Sequence, residues 1–162
     1  MTIPEIEGVV SQFARAARLC AEAGFDGVEV HAAHGYLLSQ FLSSKSNRRG
    51  DGYGGDARGR ARMLVEVVRA VKEATKGFKG FCVGVKLNSV DHQSEGEMRD
   101  CVEQVRAVVE AGVDFVEVSG GSYEDPKVSL FCCSAVAGFL AVWVCVLWWM
   151  TRWLTGDTDD LG

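Results

Sequence analysis

Residues 28–55, VEVHAAHGYLLSQFLSSKSNRRGDGYGG, hold the side chains of this chain best suited to chemistry. His31 and His34 stand three apart where a strand-like run ends, so two imidazole N–H groups can meet one carbonyl or phenolate oxygen. Tyr36 adds a hydroxyl able to act as an acid. An HxxH pair also reads as a metal site or as two solvated surface histidines. A metal centre needs more than two protein ligands, and no third histidine or cysteine stands at a suitable spacing, so no metal is expected.

The elements that must carry these groups follow from pattern. Thr2-Ile-Pro-Glu5 has the form of a capping box, which predicts a helix start. Ile6, Val9, Val10, Phe13, Ala16, Ala17 and Cys20 keep the helical period until Gly24 stops it. The run FDGVEVHA then reads as a strand. A second helix is predicted from about Arg60 to Lys76, followed by the strand FCVGVKLN at residues 81–88. A third helix is predicted from about Met98 to Ala111, leading through Gly112 into the strand-like DFVEVSGG. The predicted order is αβαβαβ.

Residues 21–30, AEAGFDGVEV, and 109–118, VEAGVDFVEV, agree at seven of ten positions. Helix end, glycine turn, aspartate and strand are therefore one unit used twice, as expected for an α/β fold with a parallel sheet. A TIM barrel and a doubly wound sheet both satisfy this order. Polar residues just past each strand favour the barrel, whose active sites lie at the C-terminal strand ends. They are His31 and His34, then Lys86, Asn88 and Asp91, then Ser119, Gly120 and Gly121.

HAAHGYLLSQFLS, followed by N-x-R-x-D-x-YGG and flanked by AGFDGVEV, VGVKLNS and VDFVEVSGG, resembles the old yellow enzyme family of FMN-dependent NADH:flavin oxidoreductases. The resemblance implies a partial TIM (β/α)8 barrel of about three βα units, the fourth to sixth of the full barrel. It implies that His31 and His34 hold the oxygen of an α,β-unsaturated carbonyl substrate. Tyr36 would donate the proton to the α-carbon, while FMN reduced by NAD(P)H gives hydride to the β-carbon. Two donors would then stabilise the enolate-like charge formed as hydride arrives. Lys86 takes the family's cationic position near the flavin, often an arginine. The plain alternative for Lys86 is a solvated strand-end lysine, and for His92 a surface histidine. Asn47, Arg48, Asp51, Tyr53, Gly54 and Gly55 match a loop read as architecture. The chain departs from the family pattern at Ser44, where proline is typical, and at residues 56–60, DARGR, where S-x-E-N-R is typical.

Lys plus Arg number 17 and Asp plus Glu 22, a formal net charge of −5, which argues against nucleic acid or an anionic lipid surface as the main partner. Cys20, Cys82 and Cys101 stand singly without CxxC spacing and read as buried, reduced thiols. The opening residues are neither a secretory signal nor a transit peptide, so the expected location is the cytoplasm.

The averages hide a seam. All four tryptophans and Cys132, Cys133 and Cys145 follow Lys127, and residues 131–150 carry no charge. The expected organisation is a barrel part at 1–127 and a hydrophobic tail at 128–162. The tail reads as a C-terminal membrane helix, long enough to span and to anchor the protein, or as a gene-model artefact. Val128-Ser129 is how an in-frame GTRAGT, the start of a common intron, would be translated.

Strands that cradle the FMN phosphate are expected after Tyr123, and the first barrel strands before Met1, so this chain alone is expected to bind FMN weakly or not at all. Three open strands leave two edges free for aggregation or a completing partner. The second reading is accordingly a non-catalytic, membrane-tethered or partner-completing barrel fragment that keeps these motifs as packing.

Overall fold

The computed structural model describes residues 1–88 and 95–119. Helix α1 runs over Ile3–Glu22 and starts as the sequence predicts. Thr2 Oγ1 accepts from the Glu5 amide at 3.4 Å, and Glu5 accepts from the Thr2 amide at 2.6 Å. Strand β1 is Gly27–Ala32, helix α2 Leu37–Leu42, helix α3 Ala57–Thr75, strand β2 Cys82–Asn88, helix α4 Glu95–Glu110 and strand β3 Phe115–Ser119. The order is the predicted one with a short helix inserted.

That insertion, α2, is only six residues and buries just Leu38 and Phe41, too short a run for a period to stand out. Helix α3 begins three residues before Arg60. Asp56 accepts from the Gly59 amide at 2.7 Å and so caps it, which places the helix start within the segment that departs from the family pattern.

The strands lie in the order β1-β2-β3, all parallel. Register sets Val30 beside Val85 and Val116, and one residue on, His31 beside Lys86 and Glu117. Because strand side chains alternate, the sheet has two unlike faces. Val30, Ala32, Val83, Val85, Leu87 and Val116 are buried in one core with Ile6 of α1, Val108 of α4 and Met63, Leu64, Val67, Val68 and Val71 of α3. Helices α1 and α4 each pack on α3 in this layer. Glu29, His31, Gly84, Lys86, Asn88, Phe115, Glu117 and Ser119 share the opposite face by alternation.

The repeat acts as a stitch at the foot of the sheet. Gly24 and Gly112 both have φ of 90°, a left-handed turn suited to glycine. The Asp26 carbonyl accepts from the Cys82 amide at 2.8 Å, and the Asp114 carboxylate accepts from the Val83 amide at 2.7 Å. Each aspartate thus ties its strand to β2.

Cys20, Cys82 and Cys101 are free thiols, as expected, but half-buried and not fully enclosed. Cys82 and Cys101 keep their protons more firmly than an ordinary thiol because burial disfavours the thiolate. Among the described residues no helix is long and apolar enough to cross a membrane. The expected tail helix lies outside the described residues, as do Asp91, His92, Gly120 and Gly121.

Candidate active site

The polar face is arranged in layers along the strands. One step above the Gly27–Cys82 pair, a layer holds Glu29, Gly84 and Phe115. A Cβ on Gly84 would stand 2.1 Å from the Phe115 ring, so the ring lies directly on the glycine. The middle layer holds His31, Lys86 and Glu117, and the top layer Asn88 and Ser119 at the C-terminal ends.

Past β1 the chain is pinned by Ala32 and Ala33, which are fully buried. It then turns through His34, at φ 60°, and Gly35, at φ 78°. A left-handed histidine is an uncommon conformation that needs support. Asn88 Oδ1 accepts from the His34 amide at 2.7 Å, and His34 Nε2 lies 2.9 Å from Ser119 Oγ. The turn brings three rings together. His31 stands 5.0 Å from His34 and 5.1 Å from Tyr36 between centroids, edge-on to both. Tyr36 is the N-cap of α2, and 56% of it is exposed.

Lys86 is half-buried, and its Nζ donates to Glu117 Oε1 at 2.7 Å. It is therefore not a freely solvated strand-end lysine. Burial pushes Glu117 up, but hydrogen bonds from Lys86 and Glu29 outweigh that and hold it below the usual carboxylate range. Glu29 is pushed up to about 7, first by burial and then by its hydrogen bond to, and repulsion from, Glu117. Glu29 thus favours its protonated form beside the Lys86–Glu117 pair. His31 is held below the ordinary imidazole value by burial, then by the positive potential of His34 and Lys86, so it is neutral at pH 7.

The structure thus places His31, His34, Tyr36 and Lys86 on one side of the sheet at its C-terminal end. Sequence reading missed the carboxyl pair and the clamp on His34. The repeat carried the first signal, since Glu29 and Glu117 occupy the same position in its two copies. Among the described residues no group of acidic, histidine or cysteine side chains could hold a metal ion.

The loop after α2 is built on other contacts. Asn47 Nδ2 donates to the Phe41 and Tyr53 carbonyls, both at 2.7 Å, and the buried Tyr53 donates to Glu66 at 2.9 Å. Arg49, and not its exposed neighbour Arg48, pairs with Asp51. Arg60 donates to the Leu42 carbonyl at 3.0 Å, to the Gly55 carbonyl and to Asp100, tying the loop to α4.

A parallel sheet with helices on its apolar face and a polar cluster at the strand ends is the arrangement of a section of a (β/α) barrel. Residues 1–128 match the NADH:flavin oxidoreductase / NADH oxidase family, and the chain belongs to that family. It is 61% identical over 130 residues to the NADH-dependent flavin oxidoreductase iliE of Neonectria sp. strain DH2, covering 80% of this chain and 17% of that protein. An old yellow enzyme homologue from Zymomonas mobilis superposes with a TM-score of 0.65 at 25% identity, covering 78% of this chain and 38% of that one. Morphinone reductase in complex with tetrahydroNAD superposes with a TM-score of 0.64 at 33% identity, covering 73% of this chain and 33% of that one. The chain spans well under half the length of each of these proteins.

Proposed function

We propose that this chain supplies the substrate-binding side of an FMN-dependent ene-reductase, an activity of the longer barrel to which such a segment belongs. The observation that carries the reading is the gathering of His31, His34 and Tyr36 above the sheet face that bears Lys86. The donor set suits a flavin and its substrate. Lys86, half-buried on the inner face, would hold the electron-rich side of the ring, and the histidine pair would hold the carbonyl oxygen of an activated alkene.

FMN, reduced by NAD(P)H, supplies hydride to the β-carbon when bound. The chain's own residues do the rest. His31 and His34 each offer one N–H to the carbonyl oxygen as negative charge gathers on it. Donors fixed before the reaction lower the barrier more than water would, by about 3 kcal/mol for one such donor. Tyr36, beside His31 and exposed, delivers its hydroxyl proton to the α-carbon. The alkene gains one hydride and one proton, and the phenolate is reprotonated from solvent.

The family match supports a boundary near residue 127, with 128–162 a separate tail. The test exchanges residues 1–128 into the Neonectria relative, loads FMN and follows NAD(P)H oxidation driven by an enone. Tyr36→Phe, His31→Ala and His34→Ala are each expected to slow turnover by about 10²-fold or more. Unchanged turnover in all three would remove the assignments. No enone-driven oxidation in the folded, flavin-loaded exchange protein would favour the motifs as packing.

A further inference from the structure

We infer that Ser119 and Asn88 act as positioning residues for His34, fixing it as the Nδ1–H tautomer so that it and His31 donate to one substrate oxygen through opposite ring nitrogens. The inference deepens the proposed function and rests on it for its purpose, but its geometry stands without flavin or substrate.

A neutral imidazole carries one N–H, and the partner of the other nitrogen decides which. In His31 the Ala33 amide donates to Nδ1 at 3.4 Å, so Nδ1 is the acceptor and Nε2 carries the proton. In His34 the engaged nitrogen is Nε2, 2.9 Å from Ser119 Oγ. If Nε2 gave its proton to Ser119, Nδ1 would be a bare lone pair and would repel a carbonyl oxygen. Two donors on one oxygen therefore require the Ser119 hydroxyl to donate to Nε2. A hydroxyl can take either role, which suits it to this position.

The second half of the clamp acts on the backbone. His34 sits at φ 60°, and its amide donates to Asn88 Oδ1 at 2.7 Å. Asn88 and Ser119 are register partners at the ends of β2 and β3, so one sheet edge fixes both the backbone and the ring of a residue from the loop after β1. A one-residue slip of β2 would turn Asn88 to the apolar face, and the same slip of β3 would turn Ser119 there, so each contact depends on its own strand's register.

Long-range ¹H–¹⁵N correlation on this chain, labelled in its imidazole nitrogens, reads the tautomers directly. At neutral pH the expected result is Nδ1–H for His34 and Nε2–H for His31. Ser119→Ala should return His34 to a mixture, and Ser119→Thr, which keeps the hydroxyl, should restore Nδ1–H. Asn88→Ala should speed exchange of the His34 amide by about tenfold or more, while Asn88→Asp, which keeps the acceptor, should not. An Nε2–H proton on His34 in the unaltered chain, or Nδ1–H persisting in Ser119→Ala, would overturn the tautomer assignment. Unchanged exchange in Asn88→Ala would overturn the backbone half. Failure of these readings breaks this inference alone. Expected tautomers without enone turnover in the exchange protein would break the functional reading alone.

Discussion

Lys86 and Leu87 are neighbours on β2, yet they live under opposite rules. Leu87 is 3% exposed, sealed into the core shared by the sheet and its helices. Lys86 points to the other face, where it meets Glu117 beside His31. The outer face, the one against the helices, presents apolar side chains, and these exchange at little cost if their volumes are kept. The inner face holds groups whose partners, charges and protons are each specified. In this sheet stability and chemistry are assigned by parity along the strand.

That contrast breaks most visibly in unfolding experiments. Leu87→Ala leaves a cavity in the core and is expected to cost about 2–5 kcal/mol, read by urea denaturation. Lys86→Met removes one half-exposed ion pair and is expected to cost about 1 kcal/mol or less. Equal losses would mean that the inner face carries the fold as much as the outer one.

A smaller effect sharpens the contrast through pH. The Glu29 carboxyl titrates near 7 in the folded chain, above its ordinary 4.5. Its protonated form is therefore the one the fold prefers. The stability it contributes is fully present below about 4.5 and is lost as pH rises through about 7. Glu29→Gln should flatten the decline between those values in a series of denaturation curves. The outer face, which has no titrating group in this layer, should show no such dependence when Leu87→Met is compared with the parent. A slope unchanged in Glu29→Gln would mean that another group carries this pH dependence.

Much of this arrangement was legible in the sequence. The helix of residues 3–22 was fixed by its capping box and its period, and the parallel sheet by the repeat with its paired glycines and aspartates. His31, His34 and Tyr36 were visible because those side chains rarely cluster by chance. Lys86 was placed by resemblance, and its register against His31 follows only from strand pairing, which no local pattern encodes. The contacts of Asn88 and Ser119 with His34 span 54 and 85 positions, so nothing local could reveal them. Asn88 and Ser119 were seen as polar strand-end residues without a role. Helix α2 was missed for the reason that its six residues make less than two turns.

The central claim is that the polar face of the sheet is the one that meets the flavin. It is tested most directly by measuring FMN affinity in the exchange protein for two substitutions one residue apart. Lys86→Met removes the inner-face cation and should weaken FMN binding by about tenfold or more, the scale of one lost ionic contact. Leu87→Met, which conserves volume in the core, should leave the affinity within about twofold. Equal affinities for both variants and the parent, or a larger loss from Leu87→Met, would contradict the account.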